Sequence, residues 1–232
     1  SSIAVYSKLK ERIENLKIED LIEIVAEYFK LKTSKKQSSE IGYAYQNLVE
    51  KLFHKKMKFR VFHFWPGEAT TEVVGRIWCN LEYPMLKSVV PEHKKFSEMT
   101  ESVLYCPKDP RFPFVDIMWR SGKDLFAVQI SISYSHAKEV ETFAEKWLQE
   151  KMDLSLEELK SSGGKVHLFY ALPPRQANSL LKKPVPKSFA WKGATAEDKM
   201  AQVEEWRSFL TCGMIQFEPN LWGGNKERVL YD

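Results

Sequence analysis

The sequence lacks the features that mark several protein classes. Its three cysteines, Cys79, Cys106 and Cys212, are odd in number and have no C-x-x-C spacing, which argues against a disulfide framework and a zinc site. No apolar run approaches the roughly 20 residues of a membrane helix, so we expect no membrane partner. A P-loop pattern is missing. The first residues have no signal-peptide pattern, but secretion stays open because Ser1 can be a processing boundary.

The charge is mildly positive and unevenly distributed. The net charge is +4, and lysines crowd the first quarter of the chain. A local excess of lysine suits contact with phosphates, which would position nucleic acid without reading its sequence. The alternative is a solvated helix face, because glutamates lie nearby. The residues that we expect to bind nucleic acid are Lys35, Lys36, Lys55 and Lys56.

Hydrophobic periodicity predicts an α/β protein. Apolar residues recur at helical spacing from Ile18 to Phe29, from Ile41 to Phe53 and from Val140 to Leu148. Strand patterns lie at "KFRVFHFW", "EVVGRIWCNLE" and "KVHLFYALPP", and a helix that ends at Gly213 precedes a last strand, "MIQFEP". This order predicts a mixed sheet flanked by helices. We expect residues 1–232 to form a single domain, with residues 1–37 as a helical extension and 38–232 as the core.

The stretch "FPFVDIMWRSGKDLFAVQISISYSHAK" predicts a hairpin with polar groups on one face. A two-residue turn at Gly122 and Lys123, with glycine first, makes Asp116 face Gln129. A turn at Ser121-Gly122 would shift the register by two. With regular alternation, a polar strip and an apolar face result. The strip holds Asp116, Gln129, Ser131 and Ser133, and the opposite face holds Val115, Ile117, Val128 and Ile130.

This strip resembles the metal-binding core of PD-(D/E)XK nucleases, which have a restriction-endonuclease-like mixed sheet. In those proteins a carboxylate on one strand and an E/Q-x-K element on the next hold a divalent ion. The resemblance implies that Asp116, Gln129 and the carbonyl of Ile130 bind Mg²⁺ or Mn²⁺ through hard oxygen ligands. The alternative is a hydrogen-bonded sheet edge. The metal role depends on Asp116 and Gln129 lying on one face of the sheet.

A wider resemblance covers about residues 104 to 172. "LYCPKDPRFPFVDIMW" and "FAVQISISYSHAKEVETFAEKW" resemble the nuclease-like C-terminal region shared by Crinkler effectors and the retrotransposon hot spot (RHS) proteins of trypanosomes. More faintly, "IGYAYQNLVEKLF" is similar to the family's first helix. The resemblance implies nucleic acid as partner, with DNA preferred to RNA, and a nuclear location, in the host nucleus for a secreted effector. Host nuclear proteins, and a P-loop NTPase domain not in this chain, are further expected partners.

Departures from the family pattern leave the activity open. Ser131 stands where the nuclease pattern has lysine, and Gln46 stands where the first helix would supply Glu, with Glu50 one turn further on the same face. Lys138 could supply the missing cation. His136, at the start of the next helix, is the candidate for proton transfer. Three functions therefore remain: a metal-dependent nuclease, a catalytically degenerate nucleic-acid-binding module, and a protein-interaction module.

Overall fold

The structure, a computed structural model, describes part of the chain. It covers residues 11–31, 38–54, 59–64, 78–81, 89–90, 95–101, 103–107, 114–132, 140–173, 201 and 204–216. Among these residues, no helix combines the length and apolar character needed to cross a membrane. They form a mixed α/β structure, as the sequence predicts.

Two helices open the described fold. Helix α1 spans Ile18–Leu31 and helix α2 spans Ser38–His54. Both carry acidic residues in their first turns, where a negative charge interacts favourably with the helix dipole. Both match the predicted apolar stripes. Their apolar faces pack together and against the sheet in one cluster. Helix α1 lies within residues 1–37, so the N-terminal segment contributes to the same core as α2.

The described strands form one mixed sheet. Its order is β2-β1-β8-β7-β6-β5-β4-β3. Strand β6 pairs in parallel with β7, β7 with β8, and β3 with β4, while the remaining neighbours are antiparallel. The strands are β1 (Phe59–Phe64), β2 (Trp78–Leu81), β3 (Val89–Val90), β4 (Leu104–Tyr105), β5 (Ile117–Ser121), β6 (Asp124–Ile130), β7 (Val166–Ala171) and β8 (Leu210–Gln216).

Two further helical segments cover the other face of the sheet. Helix α3 begins at Val140–Thr142 and continues as a π-helical stretch over Phe143–Lys151, where the Met152 amide donates to the Trp147 carbonyl five residues back. Helix α4 spans Leu156–Ser162. The Ser155 side chain caps α4 by accepting from the Glu158 amide, and Gly163 ends the helix with φ 64°. A short 3-10 turn, Phe96–Glu98, precedes β4.

The two faces of the sheet carry separate apolar clusters. Ile117, Trp119 and Val128 belong to the cluster under α1 and α2, which we call the α2 face. The second cluster contains the buried side of α3 and α4 together with β-strand residues that alternate with the first set, and we call it the α3 face. Its sheet residues include Met118, Ala127, Leu168 and Tyr170.

The structure corrects the predicted end of the last helix. Leu210, which the apolar pattern assigns to a helix, begins β8, and Gly213 lies inside that strand rather than after a helix. The described helical residues before it are 201 and 204–207. The physical reason for the glycine is close packing, because a Cβ added at Gly213 would lie 2.6 Å from Val61 Cγ1 and 3.0 Å from Phe169 Cδ1.

Candidate functional site

The predicted hairpin turn is confirmed. Strands β5 and β6 pair from Ser121 opposite Asp124 outward to Ile117 opposite Val128. Gly122 has φ 59°, as the first central residue of a type II′ turn requires. The register from the turn to Ile117 is therefore the one that the sequence predicts.

The pairing becomes irregular one residue before β5, at Asp116. The main-chain N–H of Asp116 donates to the carbonyl of Val128 at 2.9 Å, although Val128 is already the partner of Ile117. Two consecutive residues thus oppose one residue of β6, which is the arrangement of a β-bulge. A bulge interrupts the alternation of side chains along its strand, so the residues before Ile117 are turned relative to the regular pattern.

The bulge separates Asp116 from Gln129. Val115 lies in the cluster of the α3 face and Ile117 in that of the α2 face, whereas regular alternation would put both on one face. Asp116 follows Val115 and is directed to the α2 face. Gln129 is aligned with Tyr170 of β7 and is buried on the α3 face, 6% exposed. The prediction that Asp116 and Gln129 share one face is wrong, because the bulge adds one residue to the count.

The Asp116 carboxyl has a half-buried position with one strong hydrogen bond. Its Oδ2 accepts from the main-chain N–H of Ile130 at 2.7 Å. Burial, together with the negative charge of Glu50, raises the pKa of Asp116 from 3.8 to about 7, although the Ile130 N–H acts in the opposite direction. Ile130 thus contacts Asp116 through its main-chain N–H, whereas the sequence-based prediction had the Ile130 carbonyl as a metal ligand.

Helix α2 supplies the other groups near Asp116. Glu50 is close enough for its charge to raise the Asp116 pKa. Gln46, one turn earlier on the same face, donates from Nε2 to Glu50 Oε1 at 3.1 Å. The residues predicted as auxiliary, Gln46 and Glu50, therefore lie beside Asp116, while Gln129 does not. Sequence reasoning underestimated Glu50, although its spacing from Gln46 indicates a shared helix face.

The remaining predicted site residues do not join this group. Ser131 follows β6, and its amide donates to the Ala171 carbonyl at 3.1 Å, which extends the pairing with β7. By alternation its side chain follows Gln129 to the α3 face. The other predicted residues lie outside the described part of the chain: His136, Lys138, Lys35, Lys36, Lys55 and Lys56.

The donor atoms near Asp116 would suit a hard divalent ion. They are the carboxylate oxygens of Asp116 and Glu50, and Gln46 donates a hydrogen bond from Nε2 to Glu50 Oε1. Within the described ranges, no group of three or more His, Cys, Asp and Glu side chains is placed to hold a metal ion. A divalent ion held by Asp116 and Glu50 alone would need further ligands that these residues do not supply.

A second polar cluster lies at the other end of the strands. His167 Nδ1 is 2.7 Å from Thr211 Oγ1, and its Nε2 is 3.8 Å from Asp124 Oδ2. The ring stacks on Phe126 with centroids 4.4 Å apart. Burial, against the attraction of Asp124, lowers the pKa of His167. Asp124 also accepts from the Lys165 amide at 2.8 Å, so the cluster joins the start of β6 to that of β7.

Comparison with protein-family models, curated proteins and solved structures found no match for this chain.

Proposed function

We propose that this chain is a nuclease-like domain in which Asp116 and Glu50 hold a divalent metal ion, and that it binds and cleaves phosphodiesters of nucleic acid. The observation that carries the proposal is that Glu50 of α2 lies near enough to Asp116, the residue before β5, for its charge to add to the effect of burial in raising the Asp116 pKa to about 7. The Pro-x-x-Asp element is still similar to the Crinkler and RHS pattern, but the metal role in that pattern required Asp116 and Gln129 on one face, so the proposal rests on Asp116 and Glu50 instead.

The electrostatics support a cation-binding role. A half-buried carboxylate beside a second carboxylate destabilises the fold at neutral pH unless a positive charge compensates it. Strongly perturbed carboxyl groups therefore concentrate at functional sites. A divalent ion between Asp116 and Glu50 would remove both the repulsion and the desolvation cost. It would bind through hard oxygen atoms, which Mg²⁺ and Mn²⁺ accept.

Each residue has a definite role in this proposal. Asp116 is held in one orientation by the Ile130 N–H, so one carboxylate oxygen is engaged and the other can face a ligand. Gln46 orients Glu50 through the Nε2–Oε1 hydrogen bond. When bound, the ion would lower the pKa of a water and offset charge on the phosphate. The roles first given to Gln129 and Ser131 are not part of the proposal.

A second candidate is a module that retains nucleic acid without cleaving it. The observation that favours it is Ser131, which occupies the lysine position of the nuclease pattern and bonds to β7 through its backbone. Without a lysine there, no ammonium stabilises the charge that develops on the phosphate. For both candidate functions we propose a nuclear location, which the resemblance implies.

One experiment separates these functions. Labelled single-stranded and duplex DNA and RNA are incubated with the chain in Mn²⁺ or in EDTA, beside Asp116→Asn and Glu50→Gln. Cleavage in Mn²⁺ that both variants abolish supports the nuclease. Glu150→Gln is the matched control, because Glu150 is exposed at the end of the π-helical stretch on the other side of the sheet. Binding without cleavage in every condition would favour the non-cleaving module.

A Gln129→Ala variant tests the corrected geometry. If the metal is held on the α2 face, this variant loses stability because Gln129 is buried, but the folded fraction retains its cleavage rate. A complete loss of cleavage in folded Gln129→Ala, with Glu50→Gln unaffected, would return the site to the α3 face and overturn the Asp116–Glu50 assignment.

A further inference from the structure

A groove runs between the start of helix α1 and one face of helix α2. Its volume is about 780 Å³, and residues 14–19 form one wall. The other wall is a stripe of α2 with helical spacing: Asn47, Glu50, Lys51 and His54. The volume is within the range of about 300–1,000 Å³ that is typical of ligand pockets.

Glu50 connects this groove to the Asp116 site. It lines the groove, and its charge also raises the pKa of Asp116. If a phosphodiester of a nucleic acid bound at Asp116 and Glu50, the neighbouring nucleotide would therefore lie in or near the groove. This step rests on the function proposed above.

The walls offer the contacts that a nucleotide needs. Lys17 and Lys51 supply positive charge for phosphate, and Leu16 and Ile18 supply apolar surface for a base or sugar. Asn47 is 5% exposed and lines the groove, and its Nδ2 donates to the Tyr43 carbonyl, which fixes the orientation of the amide.

The carboxylates of the groove are partly engaged elsewhere. Glu14 accepts a hydrogen bond from the Tyr43 hydroxyl, and Glu50 accepts one from Gln46. The Tyr43–Glu14 bond joins the N-terminal segment to α2 and so holds the two walls together. Glu19, in the first turn of α1, also lines the groove, and its negative charge would oppose a phosphate.

Size decides between a duplex and a single strand. The groove has the volume of a pocket for a small molecule, whereas a duplex would lie across a more extended surface. A volume of about 780 Å³ is in the range of pockets that bind small molecules, which suits an unpaired nucleotide. We propose that the groove between residues 14–19 and α2 binds an unpaired nucleotide next to the phosphodiester at Asp116 and Glu50, and that the substrate is single-stranded nucleic acid.

Metal-free binding tests this inference separately from cleavage. Anisotropy of a fluorescent single-stranded thymidine oligonucleotide, a uridine oligoribonucleotide and a matched duplex DNA is measured with the whole chain in EDTA at several salt concentrations. We expect both single strands to bind more tightly than the duplex. Lys17→Ala and Lys51→Ala should each weaken single-strand binding several-fold and reduce the salt slope by about one.

Two further variants test the direction of the charge effect on affinity and provide a control. Glu19→Gln should strengthen binding, because it removes a repulsive charge from the groove. Lys146→Ala removes the same charge as the groove variants from an exposed position of the π-helical stretch, on the other side of the sheet, and should leave the affinity unchanged. Tighter duplex binding, or equal effects of Lys51→Ala and Lys146→Ala, would overturn the groove assignment.

The two proposals fail in different ways. If Asp116→Asn abolishes cleavage but the lysine variants do not affect metal-free binding, the nuclease stands and the groove assignment falls. If single-strand binding depends on Lys17 and Lys51 but no cleavage occurs with Mn²⁺, the groove stands and the catalytic proposal falls.

Discussion

Asp116 Oδ2 accepts a hydrogen bond of 2.7 Å from the main-chain N–H of Ile130, so a side chain of one hairpin strand takes the place of a backbone partner for the other. This bond stabilises the ionised form of Asp116, while burial and Glu50 destabilise it more. The balance, a pKa of about 7, makes the protonation of a single carboxyl group measurable near neutral pH.

The stability of the fold should decrease with rising pH because of Asp116. Its folded-state pKa of about 7 lies above the ordinary value of 3.8, so the folded protein binds this proton more tightly than the unfolded chain. The stability that the folded protein gains from keeping Asp116 protonated is fully present below about pH 4 and is lost as pH rises to about 7. Asp116→Asn should abolish this loss, with the variant more stable than the wild type at pH 8 by up to a few kcal/mol. Urea denaturation at pH 4.5 and pH 8 measures the difference, and a difference independent of pH would contradict it.

Divalent metal should stabilise the protein more strongly at higher pH. Metal binding requires ionised carboxylates, so at pH 6 Mn²⁺ must displace the proton of Asp116. We expect a larger rise of the thermal midpoint with Mn²⁺ at pH 8 than at pH 6, and a reversal by EDTA. Glu50→Gln should reduce the rise and Glu150→Gln should not. Equal midpoint shifts at both pH values would argue against Asp116 as a ligand.

Gly213→Ala should destabilise the sheet. The added methyl would lie 2.6 Å from Val61 Cγ1 and 3.0 Å from Phe169, within the packed α2 face, and overpacking of this kind costs about 1–3 kcal/mol. Gly42→Ala is the matched control, because a Cβ there meets nothing within 4 Å and alanine favours a helix by about 0.5–1 kcal/mol. Denaturation midpoints should move in opposite directions. A neutral Gly213→Ala would show that the side chains of Val61 and Phe169 can move away from β8 at little cost.

Ser155→Ala should weaken helix α4. The Ser155 hydroxyl accepts from the Glu158 amide, and the Glu158 side chain accepts from the Ser155 amide. Loss of such a cap costs about 1 kcal/mol. Ser161→Ala is the control, because its exposed hydroxyl only donates to the Glu158 carbonyl within the helix. Equal free energies of unfolding for the two variants would contradict the capping role.

The sequence predicted the elements better than their junctions. The stripes from Ile18 and Ile41 gave α1 and α2, and the turn at Gly122 gave the hairpin register, because each depends on local periodicity or turn geometry. Helix α4 was missed because it is short, although Ser155 and Glu158 form a capping box that signals its start. Gly213 was read as a helix end, since its packing against Val61 depends on contacts that are distant in sequence.

The candidate site was predicted in part, for a physical reason. Asp116 and the auxiliary positions Gln46 and Glu50 come together, whereas Gln129 is directed to the other face of the sheet. Side-chain patterns assume two residues per strand repeat, and only backbone hydrogen bonds reveal where that repeat is interrupted. The bond from Asp116 to the Val128 carbonyl is that interruption.

The surplus residue at Asp116 also limits what a spacing motif can report. Two chains with the same Pro-x-x-Asp interval can direct the aspartate to opposite faces of the sheet if only one of them has the β-bulge. Shortening this chain by one residue just before Ile117 would rotate the preceding segment by half a repeat, so an evolutionary insertion or deletion there can relocate an acidic group without any substitution.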